Sequence, residues 1–290
     1  MPDCERIILD DTTPEGLRKL ARIERAIGRL GTTTDNAALR SALEAVDISD
    51  APMDLQGYKG LWLGMACHQL QDYGCAASQL DVAMVGGHLR FDLLSYFVDA
   101  IFRSGSADRA MELFDDRLGS NPPEERFHQS LLLVQALLLE RLGPSRDQDR
   151  IAKLRSLAQL DIKVDRVANQ VCWNLVTDHG DAKSAQSACN AAVRLAPADA
   201  ANLDSRAVMH FTLGDYFSAI ADFERALQAP NSEPIQADIK YGLSLALQKR
   251  GGEGDAARAE QLRVEAVALK PEIAETFAAY KIYAFAGSGT

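Results

Sequence analysis

The chain has 290 residues, of which 47% are hydrophobic and 25% charged, and its formal net charge is −10. That balance supports a folded core and excludes disorder throughout. An acidic chain without a lysine or arginine cluster also lacks the basic face that nucleic acid or an anionic bilayer requires, so neither is expected as a partner.

From the start, Met1-Pro2-Asp3-Cys4-Glu5-Arg6 lacks the basic-then-apolar order of a secretory signal. The expectation is a cytoplasmic protein, or a periplasmic one if a signal has been removed. Residues 14–30 and 35–47 read as a helical pair, and 1–50 as a divergent N-terminal helical segment. The longest apolar run, Leu131 to Leu139, is interrupted by Gln135. It falls well short of the roughly 20 residues needed to span a membrane, so no insertion is expected.

Between 51 and 270 the sequence repeats. Tyr73, Ala76 and Leu80 recur as Ala107, Ala110 and Phe114, an offset of 34. Gly180-Asp181 recurs as Gly214-Asp215 at the same offset, as do Ala185 to Ala219, Cys189 to Phe223, and Ala192 to Ala226. A fixed period of this size is the signature of a repeat array. Surplus residues fall near Gly143-Pro144-Ser145, in 230–234 and in 251–254, which are turn-like segments where a solenoid tolerates insertions. Each period reads as two helices, for instance 199–212 and 216–229. Gly214 supplies the turn between them, and Pro197 and Pro230 stand where second helices must stop. Alanines suit the close crossing of two backbones, and Phe or Leu fills the gap where they part. Residues 271–284 read as a terminal capping helix, with Ile273, Phe277 and Tyr280 on one side and Glu272, Glu275 and Lys281 on the other. Residues 285–290 read as a flexible tail.

These residues resemble the tetratricopeptide repeat (TPR), whose pattern runs Trp, Leu-Gly, Tyr, Ala, Phe, Ala and a closing Pro. Leu63-Gly64, Tyr73, Ala76, Leu80 and Ala83 match one copy, and Ala207, Gly214, Tyr216, Ala219, Phe223, Ala226 and Leu227 another. The resemblance covers about 57–270. Val171-Cys172-Trp173, Ala188-Cys189-Asn190 and Leu203-Asp204-Ser205-Arg206 are similar to a narrower group of α-proteobacterial repeat proteins, many of them exported. Trp173 stands where the general repeat has a small residue, with Ala182, Ala185 and Ala188 read as making room for the indole.

The resemblance implies an all-α, right-handed superhelix of about five or six helical hairpins. The first helix of each pair would line a concave groove that binds a peptide or protein. Inward positions would then include Tyr58, Leu61, Trp62, Met65 and His68 in one copy, and Asp92, Ser95, Tyr96, Asp99 and Phe102 in the next. Later copies would turn Gln170, Asn174, Thr177, Asp178, Asp204, Ser205 and Phe211 inward. Aromatic anchors among adaptable polar groups suit a peptide-binding hot spot. Tyr58, Trp62, Met65, Tyr96 and Asp99 are therefore the partner-binding candidates. The competing reading packs that face against the N-terminal helices.

Five cysteines include no C-x-x-C pair, and no histidine stands at metal-site spacing from them, so neither metal nor cofactor is expected. Packed thiols are the default. Cys172 and Cys189 would face each other within one repeat, forming a disulfide in an exported protein and staying reduced in the cytosol. None of the metalloprotease, nucleophile-elbow or P-loop motifs occurs, and no catalysis is expected. The reading is a non-catalytic interaction scaffold. Alternatives are a self-associating structural subunit, or a regulatory subunit or enzyme whose site no motif marks.

Overall fold

The computed structural model describes residues 2–30, 35–120 and 126–280. Among the described residues it contains sixteen α-helices and no strand. They group into two compact units, residues 1–121 with 137–144, and residues 122–136 with 145–290.

In the first unit the helices are α1 (Pro2–Leu9), α2 (Glu15–Leu30), α3 (Asn36–Glu44), α4 (Met53–Gln69), α5 (Tyr73–Val85), α6 (Leu94–Arg103) and α7 (Ala107–Ser120). Helix α8 (Arg126–Leu142) contributes residues to both units. In the second unit follow α9 (Asp147–Ala158), α10 (Asp165–Thr177), α11 (Ala182–Leu195), α12 (Ala200–Thr212), α13 (Tyr216–Gln228), α14 (Gln236–Arg250), α15 (Asp255–Leu269) and α16 (Ile273–Ala279). Within each unit, successive helices pair as hairpins, most extensively α4 with α5, α10 with α11, α12 with α13, and α14 with α15. First helices also meet one another, α4 touching α2 and α6, and α12 touching α10 and α14.

The turns explain the period. Gln71, Gly105, Gly180 and Gly214 each occupy the left-handed region, with φ of 61°, 69°, 65° and 81°. Three of the four are glycine, which meets no Cβ penalty there. The next residue begins the second helix. Asp72, Asp181 and Asp215 cap α5, α11 and α13 by accepting from the amides of Cys75, Ser184 and Ser218. Each cap satisfies an amide that the helix itself leaves without an acceptor.

Small residues then set the crossing. A Cβ on Gly64 would stand 2.7 Å from Cγ of Leu80, so α4 and α5 approach as closely as they do only because Gly64 has none. Gly242 of α14 likewise receives the ring of Phe223. Ala76, Leu80, Ala83, Ala219, Phe223 and Ala226 are all buried in the core. The surplus residues lie in turns, including Gly143 and the short 3-10 turns at 144–146 and 233–235.

At the C-terminal end, Ile273 and Phe277 of α16 pack with Tyr241, Leu245, Ala266 and Val267. The helix ends at Ala279, and Tyr280 leaves it with extended backbone (ψ 137°). Lys281, the rest of the expected cap to 284 and the tail 285–290 lie outside the described residues.

The cysteines depart from the expectation of packed thiols. Cys172 and Cys189 are joined as a disulfide between α10 and α11, with Cα atoms 4.8 Å apart. Cys67 and Cys75 are joined as well, with Cα atoms 5.8 Å apart. The sequence reading left that second pair free. The reason lies in the turn: Cys67 is in the last turn of α4 and Cys75 in the first turn of α5, and the reversal at Gln71-Asp72 brings them face to face. Cys4 alone is free.

Candidate functional site

In the first unit, the candidate residues divide between two environments. The Tyr58 hydroxyl donates to Glu24 of α2 at 2.7 Å. Burial, and then that hydrogen bond, push its pKa up to about 12. Trp62 packs, as Tyr58 does, against the core cluster containing Ile23, Leu39 and Leu43. These two rings therefore help seat α2 and α3 on α4. Met65 lies one turn further along α4 and is half-buried.

Tyr96 and Asp99 of α6 gather around His68 of α4. The His68 and Tyr96 rings meet edge-on with centroids 5.1 Å apart, and Tyr73 approaches the same imidazole at 5.5 Å. His68 Nε2 is 3.0 Å from Asp99 Oδ2, and Arg103 Nε donates to Asp99 at 3.0 Å. Arg103 also donates to the Tyr73 hydroxyl at 3.1 Å and lies over that ring. Burial pushes the Asp99 carboxyl up, but the hydrogen bonds from Arg103 and His68 outweigh it and hold its pKa below the usual carboxylate value. The result is a half-buried aromatic and polar cluster on two neighbouring first helices, with its charges largely matched. It contains no activated nucleophile beside a base, the arrangement that covalent catalysis requires.

In the second unit the first-helix face carries a different arrangement. Asp204 of α12 is only 5% exposed, and its Oδ1 has no hydrogen-bond partner among the described residues. Burial, reinforced by Asp238 of α14, pushes its pKa up to about 8. Asn174 of α10 is 4% exposed; its Oδ1 accepts from Gln170, and its Nδ2 has no partner among the described residues. Beside it, the Trp173 ring meets Tyr280 edge-on at 5.4 Å. Tyr280 in turn stacks with Phe277, which stacks with Tyr241, at 5.3 and 4.9 Å. Burial pushes the Tyr280 phenol up to about 12, and the nearby carboxylates of Asp238, Asp204 and Asp178 add to the effect. Tyr280, just past the end of the cap helix, thus reaches back to Trp173 of α10, a contact the sequence reading did not anticipate for either residue. Asp238 is paired with Lys270 at 3.3 Å and Asp178 with Arg150 at 2.7 Å. Among the described residues Asp204 has no such cation.

Among the described residues, no cluster of His, Cys, Asp and Glu is arranged to hold a metal ion, and no helix is long and apolar enough to cross a membrane. Comparison with protein-family models finds no match, and comparison with curated proteins finds none either. Solved structures do align. One is a tetratricopeptide repeat protein from Parabacteroides merdae, at 19% identity and a TM-score of 0.42, with 91% of this chain and 99% of that one covered. Another is residues 1–338 of Acl4, an assembly chaperone of RpL4, at 14% identity and a TM-score of 0.41, with 90% of this chain and 98% of that one covered. The architecture rests on the chain's own hairpins, positive-φ turns, aspartate caps and buried Ala and Phe positions: it is a TPR-like all-α fold.

Proposed function

We propose that the protein is a non-catalytic scaffold that binds a peptide or protein partner through the faces of its first helices. The observation that carries this reading is the His68 cluster. Tyr73, Tyr96 and Arg103 present aromatic and cationic surface there that is only partly buried, on rigid helices whose geometry the core fixes. Rigid aromatic groups beside adaptable polar ones give large contact area at small entropic cost. Within this reading Met65, Tyr96 and Asp99 contact the partner directly, and Tyr58 and Trp62 shape the same face while holding α2. The segments around Cys172-Trp173, Ala188-Cys189 and Leu203-Asp204-Ser205-Arg206 further favour the α-proteobacterial type of repeat protein. The two cysteine pairs favour an oxidising compartment, where such bonds persist.

Affinity capture from native extract tests the reading, with wild type beside Met65→Ala/Tyr96→Ala. Those two residues are half-buried, so the variant keeps the core that Tyr58 and Trp62 support. A protein captured by wild type and lost by the folded variant supports the proposal. The same set of proteins on both baits would refute the assignment to this face.

A further inference from the structure

The second unit holds a buried acid group that the described residues do not complete. Asp204 is only 5% exposed, and among the described residues its Oδ1 is unpartnered and no cation is paired with it. A polar group taken from water without compensation is costly, and a lone carboxylate especially so. Asp238 of α14 acts on it electrostatically and deepens the deficit, being itself engaged by a cation of its own, Lys270. On α10, the first helix that touches α12, the amide Nδ2 of Asn174 is also buried without a partner among the described residues. A chain of aromatic rings runs from α10 to the end of the unit: Trp173 meets Tyr280, Tyr280 meets Phe277, and Phe277 meets Tyr241. Tyr280 belongs to no helix; it is the residue after α16 and comes to this face from the end of the unit. Its phenol lies within electrostatic reach of Asp204 and donates no hydrogen bond to the Asp204 Oδ1.

A carboxylate near aromatic rings is the arrangement that receives a cationic side chain: the carboxylate supplies the countercharge, and the ring faces attract the cation once it is desolvated. We infer that the first-helix face around Asp204 is a recognition site for a lysine or arginine side chain of a partner peptide, which Tyr280 occupies in the free chain. The inference rests on the scaffold reading and gives its partner a chemistry. Asp204 pairs with the incoming cation, Asn174 orients it through its free amide, and Trp173 forms the wall it slides along. Binding displaces Tyr280, so the end of the cap competes with the partner.

The test uses the full chain labelled with 15N at tryptophan. Two indole signals result: Trp173 reports on the site, and Trp62, in the first unit, serves as an internal control. The probes are the peptides acetyl-Gly-Arg-Gly-amide, acetyl-Gly-Lys-Gly-amide and acetyl-Gly-Glu-Gly-amide. The expected result is a saturable shift of the Trp173 signal with the two cationic peptides and none with the acidic one. Tyr280→Gly should lower Kd at least five-fold. Asp204→Asn, which keeps the side-chain shape, should raise it at least ten-fold in both backgrounds, with unchanged far-UV circular dichroism. No saturable shift in the Tyr280→Gly chain overturns the proposal, as does equal binding by Asp204→Asn. Lys281 follows Tyr280 in sequence, so Lys281→Gln is a further arm. A Trp173 shift on that substitution, with no peptide response in any variant, would assign Asp204 to the chain's own lysine and overturn the proposal too. Partner capture on the first unit reads the scaffold proposal separately, so the failure of one is distinguishable from the failure of the other.

Discussion

Replacing Asp204 by asparagine should stabilise the protein, increasingly so as the pH rises. An aspartate in the unfolded chain titrates near 3.9. In the folded chain burial, and secondarily Asp238, moves Asp204 to about 8. The folded state therefore holds a proton that the unfolded state has released throughout the window between those values. For a group raised in this way, the contribution to stability is fully present below about pH 4, declines as the pH rises, and levels off above about 8. Asparagine has no proton to hold and escapes the decline. At about 1.4 kcal/mol per pH unit, the stretch from pH 5 to pH 8 sets an upper bound near 4 kcal/mol. Relaxation and water entry reduce such figures, so about 2 kcal/mol is the working expectation. The groups that interact with Asp204 electrostatically are the Asp238 carboxylate, paired with Lys270, and the Tyr280 phenol, and all are common to both chains. Urea unfolding of wild type and Asp204→Asn at pH 5, 6, 7, 8 and 9 measures the difference directly. A gap that grows to pH 8 and then flattens is the predicted result. A gap independent of pH would show that Asp204 is not held protonated and would refute the reasoning.

Other outcomes follow from the packing. Gln71 takes the positive-φ place that glycine fills at Gly105, Gly180 and Gly214, so Gln71→Gly should stabilise the first unit by about 1 kcal/mol in urea melts. Gly64→Ala should destabilise that unit by roughly 1–3 kcal/mol, because its Cβ would press on buried Leu80. By contrast, Gly16 has open space around its Cβ position, and Gly16→Ala should be neutral or stabilising by up to about 1 kcal/mol. Protein purified without reductant and denatured should show one reactive thiol, that of Cys4. Reduction should lower stability by about 3 kcal/mol for the Cys172 to Cys189 link, which closes a span of 17 residues. Five reactive thiols would contradict the pairing.

Much of the fold was legible because the repeat is a local code. Gly214 announces a left-handed turn, Asp215 a cap, and Ala219, Phe223 and Ala226 a buried stripe, each through chemistry that acts within a few residues. Gln71 shows the limit of that code: nothing in a glutamine signals positive φ, and only its place before Asp72, matching Gly180 before Asp181, could have done so. The Cys67 to Cys75 pairing was likewise missed for want of the turn geometry, although two cysteines flanking a helix-to-helix reversal were visible. The candidate site was legible in part. Asp204 and Asn174 could be placed on an inward face by the repeat frame, but their lack of partners depends on what every other helix supplies. The contact of Tyr280 with Trp173 joins residues more than a hundred positions apart, and no periodicity encodes it. Tyr58 and Trp62 read either as groove anchors or as a face packed on the N-terminal helices, because the repeat frame places them on a first helix but leaves the place of α2 open; α2 packs on them.

The most direct test of the scaffold account is hydrogen exchange of the protein alone and with its captured partner. The account predicts added protection concentrated on the first helices, α4 and α6 or α10, α12 and α14, with α5, α11, α13 and α15 unchanged. Protection confined to those second helices would contradict it.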